Sequence, residues 1–270
     1  MKIPMIFGTR RALLLTVAAT LLLVSCAVQP PVMKSAEVRV MTSGAFTAPY
    51  KDLVPMFEKE TGHKVLSAYG ASMGNAPDAI PVRLERGEPA DIVIMVGPAL
   101  DDLIKKGKVV PGSRVDLVRS TIGFAVRAGA PKPDISTMAA LKKTLLEAKS
   151  IAYSASASGT YFSTEMLQKM GIAEQVLPKA KRILSERVGT VVARGDAELG
   201  LQQVSELIPI AGIDYIGPLP PEVQQTTFFS AGIVVGAKEP EAARALIKFF
   251  TSMTASPIIS KSGLEPMTRR

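Results

Sequence analysis

Three times in this chain a short apolar run passes into a loop of serine and glycine and then into a helical pattern. The clearest case is residues 150–171, SIAYSASASGTYFSTEMLQKMG. Residues 151–153 read as a strand, Ser154, Ser156, Ser158, Gly159 and Thr160 as a hydroxyl-rich loop, and residues 161–170 as a helix. The other two loops carry Ser43 and Gly44 after a strand at 37–41, and Ser72, Met73 and Asn75 after a strand at 64–69. Strands alternating with helices predict an α/β fold with mostly parallel sheets flanked by helices. Ligands of such sheets bind where loops leave the C-terminal ends of strands, and all three loops hold that position. The first N–H groups of a helix lack internal partners and lie at the positive end of its dipole. Residues 154–160 therefore read as an anion site as well as an ordinary helix cap.

The first 26 residues read as an export signal. Lys2, Arg10 and Arg11 precede an apolar run over 12–24, too short to span a bilayer comfortably. Leu23-Val24-Ser25 then leads into Cys26, the only cysteine. Small residues before a lone Cys look like a lipoprotein processing site, which predicts a periplasmic protein anchored to a membrane through a lipid on Cys26. Cleavage a few residues later, discarding Cys26, is the alternative. Residues 27–36 read as a tether.

The formal charge of +8 falls to +5 once those three leader charges are removed. With 5% aromatic residues and no basic run interleaved with them, nucleic acid is excluded as a partner. A mild positive charge suits a small anion. One His and one Cys make no zinc constellation, so no metal and no cofactor are expected. A monomer is expected.

Further along, residues 50–60, 78–86, 98–106 and 239–251 read as helices, and 91–96 as an apolar strand. Two long extended runs, 116–126 and 228–235, bracket a central segment. They predict two lobes joined by two crossover strands, with 37–118 plus 231–270 as lobe one and 119–230 as lobe two.

The segments Gly87-Glu88-Pro89-Ala90-Asp91 and Ala193-Arg194-Gly195-Asp196-Ala197-Glu198, with the loop at 154–160, resemble the periplasmic molybdate-binding protein family. The resemblance spans about 37–265 and implies a two-lobed, type 2 periplasmic-binding-protein fold serving an ABC-type importer. It also implies an oxyanion held by hydroxyls, backbone N–H groups and a Tyr. By position these fall on Ser43, Ser72, Ser158 and Gln203, the last standing where the family has Tyr, with Gln202 beside it. Residues 73–80 look like an enlargement of the second loop. The ligand-binding set expected is therefore Ser43, Gly44, Ser72, Met73, Asn75, Ser156, Ser158, Gly159, Thr160, Gln202 and Gln203. The extra hydroxyl and the paired amides point to a di- or tricarboxylate such as aconitate rather than molybdate, with Arg83 or Arg187 as a carboxylate clamp unless these are solvated charges.

The stretches 40–53 and 71–91 look closer still to the branch of that family containing the periplasmic aconitate isomerase, which interconverts trans- and cis-aconitate. The resemblance gives two readings: a receptor that captures a small organic anion for a permease, and an isomerase on the same scaffold. An isomerase needs a general base. Asp78 is the candidate, against a plain helix-start acid. His63 reads as a surface residue, Glu165 as too far down its helix, and Tyr69, Tyr161 and Lys51 as weaker options.

Overall fold

The computed structural model describes Met1, residues 35–184 and residues 186–268. The leader, Cys26 and residues 27–34 of the tether lie outside the described residues. Short 3₁₀ turns aside, the chain begins with β1 (Glu37–Thr42), α1 (Thr47–Thr61), β2 (Lys64–Tyr69), α2 (Ile80–Glu85), β3 (Ile92–Val96) and α3 (Gly97–Lys105). There follow β4 (Val115–Ser120), β5 (Ile122–Arg127), α4 (Met138–Glu147), β6 (Ile151–Ser154) and α5 (Ala157–Tyr161). α5 continues through a π turn at Phe162–Met166 into α6 (Leu167–Lys169). Then come α7 (Ala173–Val176), β7 (Ala180–Ile183), α8 (Val188–Arg194), β8 (Leu199–Gln203), α9 (Val204–Leu207) and β9 (Ile213–Pro218). The chain closes with β10 (Thr227–Ile233), α10 (Pro240–Phe250), α11 (Ser256–Lys261) and β11 (Glu265–Pro266).

Two sheets form. One has the order β11-β4-β10-β3-β1-β2 and the other β7-β6-β8-β5-β9. Each sheet with its helices makes one lobe. β1 pairs in parallel with β2 and β3, and β6 in parallel with β7 and β8. The sheets are mixed rather than mostly parallel, because β10 runs antiparallel to β3 and β4, and β5 antiparallel to β8 and β9. A strand that returns from the other lobe enters its sheet against the local direction.

The crossings also fall elsewhere than expected. The extended run 116–126 breaks at Thr121, so that β4 belongs to the first sheet and β5 to the second. The expected boundaries at 118/119 and 230/231 lie inside β4 and β10.

Apolar alternation explains the layering. Along β3, Ile92, Ile94 and Val96 face one core with Phe46, Tyr50, Leu53 and Phe250, while Val93 and Met95 face another with Ile80, Leu84 and Leu100. A strand buried on both faces must be an unbroken apolar run, as this one is. In the second lobe, Leu199 and Leu201 of β8 pack with Ile122, Phe124 and Phe162. Ala152 of β6 meets Val188, Val191 and Val192 of α8 on the opposite side.

The family-like segment 87–91 acts in the frame. Asp91, 1% exposed, accepts the N–H groups of Arg39 (2.7 Å), Lys238 (2.6 Å) and Glu239 (3.0 Å). One carboxylate thus ties β1 to the start of α10, where a helix favours negative charge.

Candidate functional site

The ends of β1, β6 and β8 and the starts of the helices after them enclose a cleft of about 250 Å³ between the lobes. Of the residues expected there, Ser43, Gly44, Ser156, Ser158, Gln202, Gln203 and Asp78 line it. Ser43 is 2% exposed, and its Oγ has no hydrogen-bond partner. Its N–H donates to Ile94 O (2.9 Å) and its carbonyl accepts from Thr47 Oγ1 (3.2 Å), so the backbone is anchored while the hydroxyl is left for a ligand. Ser158 Oγ lies 3.1 Å from Ser154 Oγ at the start of α5.

Others are not brought in. Ser72 is buried away from the cleft, where its Oγ accepts the N–H of Val96 (3.0 Å). Gly159 packs against β6, where a Cβ would meet Ser154 O at 1.7 Å; it seats the helix and is not among the residues that line the cleft. Met73 and Thr160 line a separate groove with Val96 and Tyr161, and Asn75 is exposed. Gln203 lines the cleft with its amide already engaged: Oε1 accepts from Ser120 Oγ (2.7 Å) and Nε2 donates to Thr227 Oγ1 (3.3 Å). It thereby stitches the end of β4 to the start of β10.

His63 is not a surface residue. It is 5% exposed, its Nδ1 accepts the N–H of Ala36 (3.1 Å), and its ring packs on Phe57. Glu165 is exposed in the Met73 groove, and the Tyr161 hydroxyl donates to Val223 O (2.9 Å). Arg83 is tied to Glu88 (2.6 Å).

One cleft residue escapes the sequence reading altogether. β8 runs into α9 without a loop, and Glu206 in the first turn of α9 turns into the cleft. Its Oε2 accepts from Gln202 Nε2 (2.7 Å). A Cβ added at Gly44 would lie 2.1 Å from that oxygen. Gly44 belongs to the first lobe and Glu206 to the second, so the carboxyl crosses the cleft and rests where only glycine leaves room. Burial pushes its pKa up to about 7, against the pull of the Arg187 charge and the Gln202 hydrogen bond. Arg187, Lys51, Glu186, Tyr69 and Phe229 are further charged and aromatic residues of the lining. The available signal was the Gln202–Glu206 spacing of four on a strand end that becomes helix.

A carboxyl poised near neutrality, an unpartnered hydroxyl and a helix start aimed at one small space make a site able to bind an organic anion and to move a proton on it.

The model for bacterial extracellular solute-binding proteins matches residues 38–265. The chain belongs to this family. Among its relatives, an aconitate isomerase from a Pseudomonas species is 49% identical over 228 residues, covering 84% of this chain and 87% of the relative. A molybdate-binding protein from Azotobacter vinelandii is 29% identical, covering 89% and 92%. Among solved structures, the Azotobacter vinelandii periplasmic molybdate-binding protein superposes with a TM-score of 0.67 at 21% identity, covering 84% of this chain and 98% of that one. The fold is therefore the two-lobed type 2 periplasmic-binding-protein fold.

Proposed function

We propose that this solute-binding scaffold works as an aconitate isomerase, with Glu206 as its general base. The observation that carries the reading is the Glu206 carboxyl in the interlobe cleft, pushed up to about 7. Aconitate is a propene bearing one carboxylate on each of three carbons. Glu206 takes a proton from the CH2 carbon; the electron pair spreads into the adjoining π system and carboxylates. The C=C moves by one position, and a proton returns to the carbon that had been vinylic. Composition is unchanged and the geometry about the double bond is set anew. Ser43 Oγ, Ser158 Oγ and the N–H groups at the start of α5 supply donors for the charge that develops on the carboxylates. A base is most effective with its pKa near the working pH, which burial gives Glu206. The relative named an aconitate isomerase, at 49% identity, supports the same reading.

A receptor that delivers the anion to an ABC-type importer uses the same cleft and is supported by the family match. It requires no titrating group and leaves Glu206 without a role. On either reading the protein acts as a periplasmic monomer, held to a membrane by a lipid on Cys26.

The test mixes purified protein with trans-aconitate and follows cis-aconitate by chromatography. Turnover beyond one equivalent is the expected result. No turnover, with molybdate raising the melting temperature and polycarboxylates leaving it unmoved, would overturn both the activity and the ligand class.

A further inference from the structure

Two cations of the cleft take no part in the proton transfer proposed for Glu206. Arg187, just before α8, and Lys51, on α1, both line it, one from each lobe. Neither is in an ion pair among the described residues, whereas nearby Arg194 is held by Glu186 (2.7 Å) and Asp196 (2.9 Å), and Arg83 by Glu88 (2.6 Å). Both are held in place by other means. The N–H of Val188, the residue after Arg187, donates to Gln202 Oε1 (3.1 Å), which pins the chain that carries the guanidinium. Lys51 Nζ stands 5.6 Å from the centroid of the Tyr69 ring, a cation–π contact at the cleft wall.

The same cleft is lined by Asp78, Glu186 and Glu206. A polyanion entering beside these carboxyls is repelled unless cations meet it. Arg187 is close enough for its charge to be felt at Glu206.

We propose that Lys51 and Arg187 form a two-point carboxylate clamp across the cleft, which selects polycarboxylates over compact tetrahedral oxyanions. Arg187 takes one carboxylate through its planar fork, and Lys51 takes a second as a point charge on the opposite lobe. A tetrahedral oxyanion offers them one compact centre of charge, a polycarboxylate two separate ones. A ligand with carboxylates on neighbouring carbons bridges them and draws the lobes together. This inference rests on the proposed function only for its carboxylate ligand; it holds for a receptor as well as for an isomerase.

The test is calorimetric binding of propane-1,2,3-tricarboxylate, which has no double bond to move, to the full-length protein. Glutarate, with one carboxylate fewer, and molybdate are measured beside it. Lys51→Met and Arg187→Met are each expected to weaken tricarboxylate binding by roughly 10- to 100-fold, the range of a charged hydrogen-bonded contact. They should also shrink the preference for the tricarboxylate over glutarate. Arg187→Lys, which keeps the charge, is expected to fall between wild type and Arg187→Met, and remains informative if the Met variant does not fold. Arg244→Gln, at an exposed position of α10 away from the cleft, should bind as wild type does. Wild-type affinity in both Met variants, or an unchanged tricarboxylate preference, would overturn the clamp. If wild type binds the tricarboxylate through these residues yet fails to turn over aconitate, the isomerase reading falls and the clamp stands.

Discussion

Glu206 and Gly44 depend on each other. The carboxyl reaches across the cleft only because residue 44 has no side chain, and it stays there through Gln202. Gly44→Ala sets a methyl group 2.1 Å from the carboxyl oxygen and must push it aside. The expected outcome is a loss of kcat of about tenfold or more, the scale of misplacing a catalytic group by an ångström, with binding of a saturated tricarboxylate reduced far less. Equal losses in both would point to a general collapse of the cleft. Burial of Glu206 has a consequence for stability too. The folded chain keeps this proton up to about pH 7, while the carboxyl ordinarily loses it near 4.5. Between those values the folded state binds more protons than the unfolded one, so stability falls as pH rises through that window. The full cost above it is on the order of 3 kcal/mol. Glu206→Gln removes this cost. It is expected to raise the melting temperature by several degrees at pH 8 and by little at pH 4.5, and a gain independent of pH would contradict the assignment.

At the scale of elements, the loops after β1 and β6 do what their composition announces. Each presents a serine hydroxyl at a strand end, Ser43 and Ser158, and both line the cleft. The loop after β2 does not, although it is just as rich in Ser, Gly and Asn. Its serine turns inward to satisfy the N–H of Val96, Asn75 is exposed, and Asp78 is the one polar side chain of this loop that lines the cleft. Composition tells that a loop is polar, and the backbone groups it must satisfy decide where it points. The Gly-Glu-Pro-Ala-Asp segment teaches a related lesson. Its distinctive acid is a fastening between β1, β3 and α10 and does not line the cleft. Asp91→Ala takes the shared acceptor from three part-buried N–H groups, those of Arg39, Lys238 and Glu239, and is expected to cost about 3 kcal/mol. Denaturant unfolding checks this, with activity per folded molecule unchanged.

At the scale of the molecule, alternating strands and helices made the α/β class legible in the sequence, and the two long extended runs made the two lobes legible. The direction of the crossover strands was not, since extended residues look alike whichever neighbour they pair with. β4 and β5 are separated by Thr121 alone, and no composition break marks where one lobe ends. Gln203 explains how the lobes keep their relation: from the end of β8 its amide bonds Ser120 of β4 and Thr227 of β10 in the other sheet, beside the cleft it was expected to serve as a ligand donor. Glu206 stayed hidden for a similar reason. An acid at the third position of a four-residue helix reads as solvated, and only the return of the first lobe over it encloses it. In the proposed function this enclosed carboxyl makes a binding scaffold into a proton-transfer enzyme. The most direct test is kcat/KM for trans-aconitate isomerisation against pH, in wild type and Glu206→Gln. The prediction is a wild-type profile that rises with deprotonation of one group near pH 7, and a variant slower by about 10²- to 10⁴-fold that still binds the substrate. A Glu206→Gln protein with wild-type rate and profile would contradict it.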